Sequence, residues 1–362
     1  MTGAPQPRPG ILEIAPYIGG ESKAENVARV IRLASNESAL GPSPRAVEAF
    51  RNVELHRYPD GGSVDLRQAL ARHHGIDASR IVCGTGSDEL ISLLARAYSG
   101  PGDEVIYSRH GFLMYPIAAQ SAGATPIAVP EKNLTADVDA ILARVTPRTR
   151  IVFLANPNNP TGSFLSRDEV KRLHAGLPRS VLLVIDAAYA EFVTRNDYEP
   201  GVELVEASPN VVMLRTFSKI YALAALRIGW GYCSADVAGV LNRIRGVFNV
   251  NLAAQAAGLA ALDDIAAVDR ARSHNDVWRP WLERELAALG LVVAPSVANF
   301  VLARFPAAPK SADQAFAFLQ SRGILTRKMG AYGLPEHLRI SIGTEEEMRA
   351  VVAALADFLG TA

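Results

Sequence analysis

The chain has 362 residues, of which 49% are hydrophobic and 20% charged, and its 37 Lys+Arg balance its 37 Asp+Glu. This is ordinary globular composition for about two domains, and it excludes the disordered, collagen-like and coiled-coil classes. Zero net charge removes the broad attraction on which non-specific nucleic-acid or anionic-membrane binding depends, so a small-molecule partner is expected, with no nucleic acid and no membrane.

Met1 to Gly10 is rich in proline and glycine and has no apolar run, so it reads as neither a signal peptide nor an anchor. No window approaches the roughly 18 uninterrupted apolar residues of a membrane helix. From about residue 80 to 233, short β-branched runs alternate with amphipathic stretches, the pattern of βαβ units around a mainly parallel sheet. The predicted strands are Arg80 to Cys83, Glu104 to Tyr107, Thr125 to Val129, Ile151 to Ala155, Val181 to Ile185, Val211 to Leu214 and Ile228 to Cys233. The only two cysteines, Cys83 and Cys233, fall in two of these runs, which argues against a disulfide framework and for a reduced, cytoplasmic setting.

Between the strands, Ser166 and Glu169 form a predicted capping box ahead of Val170 and Leu173 at helical spacing. Beyond about residue 270, helices lengthen and strands thin out. Ala312, Ala315, Phe316 and Leu319 fall on one helical face, as do Met348, Val351, Val352 and Leu355 behind a Thr344/Glu347 capping box. The expected organisation is an α/β fold in three parts. Residues 1–46 form an N-terminal arm and part of the small domain, 47–268 a large domain around a seven-stranded sheet, and 269–362 a smaller α+β domain.

Ligands of open α/β sheets bind outside the carboxyl ends of the strands, and four of those ends are unusual here. Asn156-Pro157-Asn158-Asn159-Pro160-Thr161-Gly162 follows one strand; Asp186, then Tyr189 and Glu191, follow the next. Arg215-Thr216-Phe217-Ser218-Lys219 ends a third, and Gly84-Thr85-Gly86-Ser87-Asp88-Glu89 the first. Each has a bland reading: a Pro/Asn cluster is usually a turn, a carboxylate ending a strand often a cap, a lysine after a strand usually solvated. The Gly84 to Glu89 loop lacks the third glycine of a dinucleotide fingerprint and the Gly-Lys-Ser/Thr of a P-loop. It reads better as a phosphate cup, with the Ser87 and Asp88 amides opening the next helix.

Taken in order, Asp186, Ser218-Lys219 and Arg227 eight residues on resemble the pyridoxal 5′-phosphate (PLP) site of the fold-type-I aminotransferases. Within that group the chain most resembles the histidinol-phosphate aminotransferases. The resembling segments include Leu33 to Glu37, Leu40 to Pro44, Arg57 to Asp60, Gly86 to Glu89, Asn158 to Gly162, Asp186 to Tyr189, Thr216 to Gly229 and Leu338 to Gly343. The resemblance implies that Lys219 holds the cofactor's aldehyde and then serves as acid and base, and that Asp186 keeps its ring nitrogen protonated. Asn159 and Tyr189 would donate to its phenolic oxygen. Ser87, Asp88, Thr216, Ser218 and Arg227 would hold its phosphate. Phe112 would stack on its ring, with His110 and Tyr115 as alternatives, because His110-Gly111-Phe112 replaces the usual Pro-Thr-aromatic.

The same resemblance implies a homodimer in which Tyr58, and also Tyr17, reach the neighbouring site. Arg327 and Arg339 match anion-binding arginines, while Asn249 and Asn251 follow a pattern found near the pocket. The implied reaction is ping-pong exchange of an amino group between L-histidinol phosphate with 2-oxoglutarate and imidazole-acetol phosphate with L-glutamate. Rivals on the same cofactor set are an aromatic amino-acid aminotransferase and a PLP-dependent phospho-amino-acid decarboxylase. A ligand-sensing transcription regulator would carry an appended basic module, for which the short N-terminal segment is expected to leave no room. Ser38-Ala39, Gly19 and Ala225 depart from the family pattern without removing a catalytic group.

Overall fold

A computed structural model describes residues 5–23, 27 and 29–360. Residues 1–4, 24–26, 28, 361 and 362, which belong to the expected arm and C-terminal unit, lie outside the described residues. Among the described residues thirteen strands follow in chain order: β1 Ile31–Arg32, β2 Ile81–Gly84, β3 Glu104–Ser108, β4 Thr125–Val129, β5 Thr149–Ala155, β6 Leu182–Asp186, β7 Val211–Thr216, β8 Gly229–Tyr232, β9 Val292–Ala294, β10 Phe300–Arg304, β11 Ile324–Leu325, β12 Arg327–Lys328 and β13 His337–Ser341.

All seven predicted central strands form, in one sheet of order β2-β8-β7-β6-β5-β3-β4. Only β8 runs antiparallel to its neighbours; the other pairs are parallel, as helical crossovers require. Both faces are covered, so these strands read as continuous apolar runs rather than alternating ones. Val152, Leu154, Leu183 and Ile185 face one buried cluster, and Ile151, Phe153, Leu182 and Val184 the other. Some bounds differ from the sequence reading for local reasons. Arg80 completes a 3-10 turn capped by the Asp77 carboxylate, so β2 starts at Ile81. Asp186 is the last residue of β6, and pairing with Gly229 carries β7 on to Thr216.

A second, four-stranded antiparallel sheet of order β12-β13-β10-β9 and the short β1-β11 pair make up the rest. Helices Ala312–Ser321 and Glu345–Leu359 pack onto them, each opened by a full capping box, Ser311/Gln314 and Thr344/Glu347. The predicted Ser166/Glu169 box is half formed. Ser166 caps the Glu169 amide, but the Glu169 carboxylate turns to Arg172 at 2.8 Å instead of returning to the cap. Ile31 and Leu33 of the N-terminal segment share a cluster with Val301, Ile340 and Leu355, so the arm is part of that core. The long helix Ile265–Ala288 joins the two cores, with Ala271 in the first and Leu282 and Leu286 in the other.

Candidate active site

The carboxyl ends of β5, β6 and β7 and the loop after β2 converge on one cavity of about 350 Å³, a size that suits a small molecule. Of the candidate residues, Tyr17, Ser87, Asp88, Phe112, Asn159, Asp186, Tyr189, Thr216, Ser218, Lys219, Arg227, Arg327 and Arg339 all line it; Tyr58 does not. A larger neighbouring space of about 680 Å³ shares Tyr17, Gly19 and Arg327 with it and is lined by apolar groups such as Leu113, Ile117 and Phe316.

At one end, Gly86 with φ 79° turns the chain into the helix Ser87–Tyr98, presenting the Ser87 and Asp88 amides at the positive end of its dipole. A Cβ on Gly86 would come within 2.1 Å of Asp88 Oδ1 and 2.4 Å of Arg227 Nη2. A side chain there would displace both of these groups from the hollow, and the positive φ favours glycine as well. Gly229 is equally constrained, since its Cβ would lie 2.4 Å from the Ser87 nitrogen. Arg227 donates to Asp88 Oδ1 at 2.7 Å and to Ser218 Oγ at 3.2 Å, and Thr216 Oγ1 accepts from the Ser218 amide at 3.1 Å. Amides, hydroxyls and one guanidinium thus surround a space that fits a phosphate.

Asp186 is 5% exposed. The Tyr115 hydroxyl donates to its Oδ2 at 2.8 Å, whereas Oδ1 is buried without a partner. Burial pushes this carboxyl up to about 6, against the pull of the Tyr115 hydroxyl, the Ala188 backbone amide and Lys219. Asp186 borders the cavity, and a buried carboxylate oxygen without a partner beside it suits a cationic ring N–H. Lys219 is half-buried and donates to the Ser35 carbonyl at 3.0 Å. Burial, then the nearby Arg339 guanidinium, draw its amine down to about 8. Tyr189 is buried and accepts from Asn36 Nδ2 at 2.9 Å, and burial raises its pKa. A buried Arg215–Glu191 pair at 2.7 Å ties the loop that carries Tyr189 to the strand that leads into Lys219.

Opposite, Arg327 and Arg339 are direct partners in the antiparallel β12–β13 ladder. Like charges so placed destabilise a sheet, and an anion between them reverses the sign. Arg339 is 5% exposed; its Nη2 donates to the Ala34 carbonyl at 2.6 Å and its Nη1 to Asn159 Oδ1, while Nε has no partner. Arg327 donates to the Ile18 carbonyl and lies 6.0 Å over the Tyr17 ring.

Tyr17 packs edge-on to Phe112 at 6.3 Å and against Arg327 of the same chain, bordering that chain's cavity. Tyr115 also borders the cavity, but its ring is engaged with Phe153, parallel at 4.8 Å, and its hydroxyl with Asp186. His110 is turned away, its Nδ1 2.6 Å from the Tyr332 carbonyl, and does not line the cavity, whereas Phe112 does. Asn249 and Asn251 are supports. Asn249 donates to Cys83 O and Glu89 under the phosphate-cup loop, and Asn251 caps the helix Leu252–Leu262. Tyr58 is 82% exposed and stacks on Phe248 at 4.7 Å beside a separate groove. Asn36 was missed as a lining residue, although the Leu33 to Glu37 segment that carries it resembles the family.

The family model for aminotransferase class I and II matches residues 28–355. The chain belongs to this family. Its members work with PLP, and the donor set above fits that cofactor: an orphaned Asp186 oxygen, a lysine amine and a phosphate-sized hollow share one cavity. The histidinol-phosphate aminotransferase of Paramagnetospirillum magneticum is 63% identical over 360 residues, covering 99% of each chain. That of Rhodospirillum centenum is 61% identical with the same coverage. Among solved structures, a histidinol-phosphate aminotransferase from Sinorhizobium meliloti in complex with pyridoxal-5′-phosphate is 31% identical, with a TM-score of 0.89 and full coverage of both chains. Among the described residues no helix is long and apolar enough to cross a membrane.

Proposed function

We propose that the chain is a PLP-dependent aminotransferase of histidine biosynthesis, moving an amino group between L-glutamate and imidazole-acetol phosphate to give 2-oxoglutarate and L-histidinol phosphate. The observation that carries the substrate reading is the Arg327–Arg339 pair facing across β12 and β13 into the cavity that holds the Lys219 amine. Two guanidiniums in register suit a carboxylate in one half-reaction and a phosphate monoester in the other. The full-length similarity to histidinol-phosphate aminotransferases supports the same substrate.

Bound in this cavity, PLP supplies an electron sink that makes the substrate's Cα–H acidic and carries the amino group between the two half-reactions. Lys219 would hold the cofactor and, once released, move a proton between the substrate's Cα and the cofactor's C4′; an amine drawn down to about 8 can both accept and give it near neutral pH. Asp186 is the fixed anion for the ring nitrogen. Tyr189, held by Asn36, and Asn159, held by Arg339, would donate to the phenolic oxygen. Ser87, Asp88, Thr216, Ser218 and Arg227 would hold the cofactor's phosphate. Phe112 would cover the ring, while Tyr17 closes the arm over the substrate and excludes water.

The exposed, Phe248-stacked Tyr58 is proposed to reach the phosphate site of a second copy, giving a homodimer, and the setting is proposed to be cytoplasmic. The test is spectral titration of PLP-loaded protein with single amino donors. L-histidinol phosphate should discharge the visible band of the lysine-bound cofactor at far lower concentration than phenylalanine, tyrosine or unphosphorylated histidinol. A preference for aromatic amino acids would make the arginines carboxylate receptors of a broader aminotransferase. Release of carbon dioxide without need for 2-oxoglutarate would make the protein a decarboxylase.

A further inference from the structure

Tyr115, in the first turn of the helix Met114–Ala122, is 1% exposed and held on two sides by aromatic rings. Phe153 of β5 lies parallel at 4.8 Å, and Phe112 meets it edge-on at 5.9 Å. This packing fixes where the phenol oxygen stands, 2.8 Å from Asp186 Oδ2. The other carboxylate oxygen, Oδ1, is as buried but has no partner, and Asp186 borders the cavity. We infer that Tyr115 is a positioning residue: it engages Oδ2, fixes the carboxylate plane and leaves Oδ1 as the unpartnered acceptor for a cationic N–H of the bound cofactor. The inference rests on the proposed reading of Asp186 as partner of the PLP ring nitrogen.

The chemistry of the phenol supports a one-way bond. Burial and the neighbouring carboxylate raise the Tyr115 pKa well above that of a free tyrosine, so it remains a donor at every working pH. A donor to the charged form favours that form, so Tyr115 opposes the burial that would otherwise neutralise Asp186. The other titratable groups bearing on Asp186 are Asp88, which raises its pKa, Lys219, which lowers it, and the phenols of Tyr189 and Tyr198. None of them is hydrogen-bonded to its oxygens. Through its edge contact with Phe112, Tyr115 also sets the angle of the aromatic that faces the cavity.

The experiment compares wild type with Tyr115→Phe, which removes one oxygen and keeps both ring contacts. PLP affinity of the cofactor-free protein is measured from pH 5 to 9 by fluorescence quenching, with a thermal melt of each protein. Expected are an affinity loss of about ten- to a hundred-fold and an acid limb displaced upward by about one pH unit, with the melt of the cofactor-free protein close to wild type. A purely structural role would leave the acid limb in place, because the ring is retained. In an Asp186→Asn background the same change should have no effect on the limb, since the titrating group is gone. Wild-type affinity and an unmoved limb in Tyr115→Phe would overturn the inference alone. Failure of the wild-type protein to take up PLP would overturn the reading beneath it as well.

Discussion

Arg339 carries the substrate argument, and its environment gives the size of effect to expect. Two of its nitrogens are committed inside the protein, Nη2 to the Ala34 carbonyl at 2.6 Å and Nη1 to Asn159 Oδ1, which leaves the buried, unpartnered Nε and the remaining Nη hydrogens for an incoming anion. A hydrogen bond to a charged group contributes about 1.5–3 kcal/mol. Losing two of them in Arg339→Ala should therefore cost about 3–6 kcal/mol, or about two to four decades of kcat/KM. Arg339→Lys keeps the charge but loses the fork, and should cost about one to two decades. The assay is stopped-flow measurement of each half-reaction separately, with L-glutamate and with L-histidinol phosphate, alongside a thermal melt that registers the loss of the Ala34 and Asn159 bonds. Because one guanidinium faces both anions in turn, both half-reactions should fall together. A loss confined to glutamate would refute the shared receptor.

Lys219→Ala should abolish turnover while leaving the melting temperature near wild type, because the amine's one hydrogen bond is to the Ser35 carbonyl; residual turnover above the background of PLP in buffer would remove Lys219 from the mechanism. Burial raises Asp186 from 3.8 to about 6, so the folded cofactor-free protein holds that proton more tightly than the unfolded chain, and its stability falls as pH rises through this interval. Asp186→Asn should thus stabilise the cofactor-free protein by about 3 kcal/mol above pH 6 and not below pH 4, while impairing activity; a pH-independent difference in urea unfolding would contradict this. Gly229→Ala should cost at least about 1–3 kcal/mol, since its Cβ would lie 2.4 Å from the Ser87 backbone nitrogen, where no side chain can yield. A melt unchanged from wild type would show that β8 can withdraw from the phosphate cup.

The sheet was legible because its strands are buried on both faces and therefore read as apolar runs bounded by Gly, Pro and Asn, as at Ile151 to Ala155 before Asn156-Pro157. The candidate set that shares the cavity was legible because strand ends carry it, with Asp186 closing β6 and Lys219 three residues past β7. What escaped the sequence depends on contacts between distant segments. Asn36 reaches Tyr189 only because β1 pairs with β11 and Ser341 grips the Asn36 amide. The bond from Tyr115 to Asp186 spans 71 residues, and nothing local distinguishes that phenol from a core aromatic. The contacts of Tyr17 with Phe112 and Arg327 likewise join segments about 95 and 310 residues apart, which no local pattern announces. Glu169 left its capping box because Arg172, three residues on, offers a charged partner where the Ser166 amide offers a neutral one.

The most direct test of the central claim follows the nitrogen itself. PLP-loaded protein is incubated with ¹⁵N-labelled L-glutamate and imidazole-acetol phosphate, and the products are read by mass spectrometry, with the Lys219→Ala protein run in parallel. The wild-type protein should give ¹⁵N-labelled L-histidinol phosphate and an equal amount of 2-oxoglutarate, and the variant neither. Unlabelled histidinol phosphate, label that appears only in aromatic amino acids when their oxo acids are added, or equal transfer by Lys219→Ala would contradict it.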